Sequence, residues 1–181
     1  SPDIIAGPTQ LGDAKYASIN GSNAFVYSGD RGILHIDLDN NKVSTVSAPD
    51  AGWGDIKDIF GFADNVYALD SLNNMIWKYA PSGTGFSQKQ AYLRTEIDLL
   101  AGKDLMIDYS VWVLTSEPNI LKFTAGSSDF YAIGGIDEPL TQIDVIFAPE
   151  ELDNIFLLDK STNKILVTKK NGEYAAQYIK P

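Results

Sequence analysis

Four segments of this chain repeat one short pattern of side chains at a nearly constant interval, and that periodicity limits the possible folds more than any other feature. Asn23-Ala24-Phe25-Val26-Tyr27, Asn65-Val66-Tyr67-Ala68-Leu69, Ser110-Val111-Trp112-Val113-Leu114 and Asn154-Ile155-Phe156-Leu157-Leu158 each present a polar residue, an apolar one and then an aromatic. The aromatics Phe25, Tyr67, Trp112 and Phe156 stand 42, 45 and 44 residues apart. After a short polar turn comes a second apolar run: Ile33-Leu34-His35-Ile36, Ile76-Trp77-Lys78-Tyr79, Ile120-Leu121-Lys122-Phe123 and Ile165-Leu166-Val167-Thr168. The intervening turns are rich in Gly, Asn, Asp and Ser, which tolerate turn geometry, so each pair of runs reads as a strand hairpin.

A further strand precedes each hairpin, at Tyr16-Ala17-Ser18-Ile19, Asp58 to Phe62, Asp104 to Ile107 and Asp144 to Phe147. Another follows it, at Val43 to Val46, Phe86 to Lys89, Asp129 to Ala132 and Tyr174 to Gln177. Four short strands recurring at this period are the signature of a β-propeller blade. The expected architecture is therefore an all-β propeller of four-stranded antiparallel blades in one domain. Its blades span about 13–48, 55–93, 103–136 and 143–180, and residues 1–8, with Ile4 and Ile5, form an outer strand of a preceding or closing blade. A β-sandwich also spaces short strands regularly, but it does not repeat one four-strand pattern with an aromatic at the same place. One short helical turn is expected between Thr95 and Gly102.

Two blades carry a more specific likeness. Asn65-Val-Tyr-Ala-Leu-Asp70 with Asn74-Met-Ile-Trp-Lys-Tyr79, and Asn154-Ile-Phe-Leu-Leu-Asp159 with Asn163-Lys-Ile-Leu-Val167, resemble the NHL type of blade. In the equivalent position the other two blades have Ser28 and Thr115, and the arginine of the family motif is absent. The resemblance implies a propeller in which the first strand lines a central channel and the second-strand aromatic packs between blades. It also implies a protein- or RNA-interaction domain or a bacterial sensor domain, with some six-bladed relatives acting as metal-dependent hydrolases or lyases.

Composition narrows the function. A net charge of -10 opposes binding to a phosphate backbone, which requires a basic stripe, so nucleic acid is not an expected partner. No run approaches the length of apolar sequence needed for membrane insertion by a helix. The chain lacks cysteine and has one histidine, His35, so thiolate and multi-histidine metal sites and a Cys–His nucleophile are excluded. His35 aligns with Lys78 and Lys122 and is expected to face solvent. No cofactor is implied; any metal would be Ca²⁺ or another hard divalent cation on oxygen ligands. Asp58, Asp104 and Asp144 hold equivalent places at the start of the first strand, and are read either as such ligands or as acceptors that fix the turn into each blade. Asp70 and Asp159 invite the same two readings.

The loops suggest an acidic face for a protein, a peptide or a small ligand, with Trp53, Asp70, Arg94, Glu96, Glu117, Glu138 and Asp159 as its candidate residues. Trp53, flanked by Gly52 and Gly54, is either an exposed anchor or tucked over a blade edge. Leu99 and Leu100 are expected to seal the channel end or the gap between blades. The function expected is a non-catalytic binding or sensor module; the alternatives are a metal-dependent hydrolase or lyase and a self-assembling unit, with a homodimer through the terminal blades.

Overall fold

Alternating and wholly apolar runs fix the strands of each blade. In the computed structural model, which describes residues 7–117, 119–136 and 140–179, the expected four sets of four strands form four four-stranded antiparallel sheets, with two of the outer strands displaced from their expected positions. The chain divides into two compact units, Ser1–Tyr92 and Leu93–Pro181, and each holds two blades.

In the first unit, blade 1 is β1 (Ala14–Asn20), β2 (Asn23–Ser28), β3 (Gly32–Asp37) and β4 (Lys42–Ser47), paired in that order. Blade 2 pairs β5 (Ile56–Phe62), β6 (Asn65–Asp70), β7 (Met75–Tyr79) and β10 (Gln90–Ala91). A small hairpin, β8 (Pro81–Ser82) with β9 (Gly85–Phe86), is inserted before β10. The core joins Phe25 and Ile33 to Ile56, Ile59, Val66, Ala68 and Tyr79. Gly61 permits this approach, because a Cβ there would stand 2.8 Å from the Phe25 ring.

In the second unit, blade 3 is β11 (Gly102–Ile107), β12 (Val111–Thr115), β13 (Ile120–Thr124) and β14 (Ser127–Asp129). Blade 4 is β15 (Val145–Phe147), β16 (Asn154–Asp159), β17 (Lys164–Lys169) and β18 (Tyr174–Ile179). Every residue of β12 is buried, as expected of a strand covered on both faces.

Three sequence expectations require correction. The outer strand of blade 2 lies at Gln90–Ala91 and not at Phe86 to Lys89. Phe86 instead turns its ring onto Phe25 of blade 1, centroids 5.9 Å apart and edge to face. The outer strand of blade 3 ends at Asp129, because Tyr131 leaves the sheet to pack edge-on against Trp112 at 5.1 Å. In both places burial of an aromatic against a neighbouring ring prevails over continued edge pairing. Residues 95–102 hold no helix; the chain closes a turn there by a bond from the Gly102 N–H to the Leu99 carbonyl. The one short helix among the described residues is α1 (Pro8–Leu11), where the exit of an outer strand was expected. Ile4 and Ile5 lie outside the described residues.

Of the four repeat aromatics, Phe25, Tyr67 and Trp112 are buried, while Phe156 is only half-buried. Among the described residues no helix is long and apolar enough to cross a membrane.

Candidate functional site

The loop leading into each blade is tied to the turn between its second and third strands. The N–H groups of Gly29, Ser71 and Ser116 donate to the carbonyls of Asp13, Asp55 and Ala101. In blade 4 the Lys160 N–H donates instead to Asp144 Oδ2, at 2.6 Å. Each blade therefore brings these two loops to one end.

Asp70 is spent within that junction. Its carboxylate is fully buried. Oδ1 accepts the Asp55 N–H at 3.0 Å and the Asn73 N–H at 3.3 Å. Oδ2 accepts from the Gly54 N–H at 3.0 Å, and from Asn73 Nδ2 and Trp77 Nε1 at 2.9 Å each. Burial alone would raise this carboxyl group; the bonds from Gly54, Trp77, Asp55 and Asn73 outweigh it and hold the pKa below the usual carboxylate value. Asp159 is also buried and accepts from the amides and hydroxyls of Ser161 and Thr162, which lower its pKa. Both turns span four residues and end on an asparagine with positive φ, Asn74 at 53° and Asn163 at 52°. Asparagine tolerates that left-handed conformation better than most residues.

The three equivalent aspartates accept backbone hydrogen bonds as well. Asp58 Oδ1 accepts the Ile59 N–H at 2.8 Å. Asp104 accepts the Leu105 N–H at 3.0 Å and, from the next blade, the Ile146 N–H at 2.9 Å. Asp144 accepts from Lys160 and from Gln142 Nε2, and the Lys160 bond chiefly lowers its pKa. Among the described residues no group of three or more histidine, cysteine or acidic side chains is arranged to hold a metal ion.

Trp53 is tucked in. Its indole N–H donates to the Tyr79 hydroxyl at 2.9 Å, its ring meets Tyr27 edge-on at 6.0 Å, and it packs on the core of the first unit. Burial pushes Tyr79 up to about 12. His35, expected in solvent, is instead partly buried, stacked on Phe25 at 5.3 Å and edge-on to Phe86 at 5.5 Å. Its Nε2 meets Asn23 Oδ1 at 2.7 Å, and burial lowers its pKa. Leu99 is fully buried as expected, whereas Leu100 is exposed.

Arg94, Glu96 and Glu117 are exposed, and Glu138 lies outside the described residues. The two units differ here. In the first, four carboxylates of the loops at this end each have a cation: Asp13 with Lys15 at 3.9 Å, Asp30 with Arg31 at 3.6 Å, Asp50 with Lys89 at 2.9 Å and Asp55 with Lys57 at 2.6 Å. In the second, Glu96, Asp98 and Glu117 enter no ion pair among the described residues, and their loops adjoin through the bond from Ser116 to Ala101.

Sequence reasoning missed an ion pair at the opposite end of the second unit, between the buried Asp108 and the partly buried Lys170. Asp108 Oδ2 meets Lys170 Nζ at 2.8 Å, and Oδ1 accepts from the Ser110 N–H at 2.7 Å and Trp112 Nε1 at 3.0 Å. Lys170 also donates to the Pro149 carbonyl at 2.8 Å. Burial opposes ionisation of Asp108, yet Lys170, Ser110 and Trp112 keep its pKa below the ordinary value. No sequence spacing links two residues so far apart in the chain.

Solved structures place this architecture. No protein-family profile matches the chain, and no curated protein matches it in sequence. A structural genomics protein of unknown function from Bacteroides thetaiotaomicron matches 92% of this chain at TM-score 0.64 and 12% identity, over 43% of its own length. A catalytically inactive histidine-to-alanine variant of virginiamycin B lyase from Staphylococcus aureus, with quinupristin, matches 95% at TM-score 0.65 and 14% identity, over 57% of its length. The computationally designed Ika4 protein matches 86% at TM-score 0.57 and 11% identity, over 90% of its length. The fold is that of a β-propeller built from four-stranded antiparallel blades. The chain spans about half the length of the first two of these structures.

Proposed function

We propose that this chain is a non-catalytic binding module, of the interaction or sensor kind, that receives a basic peptide on the loop end of its second unit. The observation that carries this reading is the contrast between the units at this end: Asp13, Asp30, Asp50 and Asp55 of the first are matched by their own cations, while Glu96, Asp98 and Glu117 of the second are exposed and enter no ion pair among the described residues. Unmatched acidic groups attract a cationic partner and speed its encounter. Arg94, exposed beside them, would orient a partner carboxylate or chain terminus.

The distribution of the other polar groups supports binding over catalysis. Asp58, Asp104 and Asp144 accept backbone or amide hydrogen bonds, which gives them a turn-fixing role. The lyase in the matched structure was inactivated by replacing a histidine. The single histidine here is wedged between Phe25 and Phe86. The turns Asp70–Asn74 and Asp159–Asn163 support reading blades 2 and 4 as NHL-type, in keeping with an interaction domain.

The test is fluorescence anisotropy with a labelled lysine-rich peptide and an acidic peptide of the same length. The expected result is selective binding of the basic peptide that weakens with salt and falls about tenfold in an E96Q/D98N/E117Q variant, as expected of a few exposed charge contacts. Equal binding of both peptides, or an unchanged affinity in the variant, would overturn the proposal.

A further inference from the structure

The two asparagine–glycine pairs of this chain, Asn20-Gly21 and Asn171-Gly172, share a sequence and meet opposite surroundings. Such a pair is reactive because glycine has no side chain to keep its amide nitrogen away from the carbonyl carbon of the preceding asparagine side chain. Asn20 ends β1, and the two-residue turn Gly21-Ser22 leads into β2, with Asn20 paired to Asn23. Gly21 has φ 60°, and beyond its chain neighbours no atom lies within 4 Å of the position its Cβ would take. Among the described residues, neither the Gly21 N–H nor the Asn20 carboxamide enters a hydrogen bond.

Asn171-Gly172, between β17 and β18, is held in place. The Gly172 N–H donates to the Lys169 carbonyl at 2.9 Å, and the Gly172 carbonyl accepts the Gly134 N–H at 2.9 Å. Asn171 Oδ1 accepts the Glu173 N–H at 3.0 Å. A Cβ on Gly172 would run into the Ala132 carbonyl, so backbone packs directly on this glycine. Both the nitrogen that would attack and the group it would attack are therefore tied down at Asn171, and neither is at Asn20.

We propose that Asn20-Gly21 is a self-modification site in blade 1. The Gly21 nitrogen gives up its proton to water or hydroxide and attacks the carbonyl carbon of the Asn20 side chain. The new C–N bond closes a succinimide ring as the bond to the carboxamide nitrogen breaks, and that nitrogen leaves as ammonia. Water then opens the ring. Cleavage at the side-chain carbonyl leaves aspartate, while cleavage at the main-chain carbonyl leaves isoaspartate, in which the backbone runs through the former side chain. Either product adds a negative charge, and isoaspartate also adds one carbon to the backbone. The place matters because β1 meets blade 2 there: the Gly61 N–H of β5 donates to Ser18 Oγ at 2.9 Å, and a Cβ on Gly61 would stand 3.4 Å from the Asn20 Cβ. An added backbone carbon disturbs the Asn20–Asn23 register beside that contact, so the reaction slowly loosens the joint between blades 1 and 2.

Peptide mass mapping of the 181-residue chain incubated at mildly alkaline pH, folded and in urea, tests this. In urea both asparagines are expected to react at similar rates. In the folded chain Asn20 is expected to react about tenfold or more faster than Asn171, where two hydrogen bonds must break before the nitrogen can attack. Isoaspartate, scored by enzymatic methylation of its carboxylate, is expected among the products at Asn20. The isoaspartate-bearing fraction is expected to unfold at lower urea than an N20D variant, which carries the charge without the added carbon. Equal rates at the two sites in the folded chain, a folded chain unreactive at Asn20, or the same ratio of rates in urea as in the fold would overturn the proposal. An isoaspartate fraction as stable as N20D would overturn the effect on the joint.

Discussion

Replacing Asp70 by asparagine tests whether the junction between loops, and not a ligand, is what this carboxylate serves. Five donors converge on it, two at Oδ1 and three at Oδ2. An amide offers one oxygen. With its nitrogen at the Oδ1 position, the Asp55 and Asn73 N–H groups face a donor; with the nitrogen at Oδ2, Gly54, Asn73 Nδ2 and Trp77 Nε1 do. At least two buried donors lose their acceptor in either orientation, at roughly 1–3 kcal/mol each, so D70N is expected to destabilise by about 3–5 kcal/mol. Asp159 supplies the control. Its Oδ2 accepts only the Thr162 hydroxyl, which can rotate and accept from the new amide, while Oδ1 keeps its three donors. Urea unfolding followed by tryptophan fluorescence is the assay: Trp53 and Trp77 report the first unit and Trp112 the second. D70N is expected to lower the midpoint with an unchanged m value, and D159N to shift it by less than half as much. Equal shifts, or a D70N protein as stable as wild type, would refute the argument from counted donors.

Two further outcomes follow from the buried groups. K170M leaves Asp108 buried without its cation and is expected to cost about 3–5 kcal/mol at neutral pH. Because the Asp108 pKa is depressed in the wild type, the pair stabilises above the ordinary carboxylate range and is lost as pH falls through the folded value; the deficit of K170M in urea unfolding should shrink in acid. His35 has the opposite chemistry: its folded pKa lies below 6.5, so the unfolded chain takes up a proton first and stability declines as pH falls below about 6.5. Melting temperatures at pH 7.5 and pH 5 should therefore differ more for wild type than for H35Q, and identical differences would show that His35 is not the group responsible.

The first three strands of each blade were legible because they are local: an apolar run, a turn residue and another run fix a hairpin without help from elsewhere. The two misplaced outer strands fall where the chain is diverted by distant rings, Phe86 by Phe25 and Tyr131 by Trp112. Trp53 shows the same limit. Its sequence context admits either an exposed anchor or a ring tucked over a blade edge, and the partner that decides between them, Tyr79, stands 26 residues away. The Asp108–Lys170 pair had no local signal at all, since a lone aspartate beside Tyr109 and Ser110 reads as an ordinary turn. The aspartates at blade starts were legible as a repeated feature, while the partners they accept from, such as the Ile146 N–H 42 residues beyond Asp104, were not.

The position after the second strand shows how one blade geometry is reached with different residues. What the geometry requires is an acceptor that holds the lead-in loop against the turn. Asp70 provides it directly, taking the Asp55 N–H. In blade 1 the equivalent residue is Ser28, and the carboxylate has moved to Asp30, which accepts from Ser28 Oγ at 2.5 Å and from the Asp13 N–H at 3.0 Å. Asp13 is the counterpart of Asp55 in the lead-in loop, so the same amide is satisfied from a different place. In blade 3, Thr115 turns its hydroxyl to the carbonyls of Glu117 and Asn119, and the backbone bond from Ser116 to Ala101 joins the loops. In blade 4, Asp159 satisfies its own turn while Asp144 reaches across to the Lys160 N–H. Aspartate, serine and threonine look like a lost motif when compared position by position. Physically they are different routes to one satisfied junction.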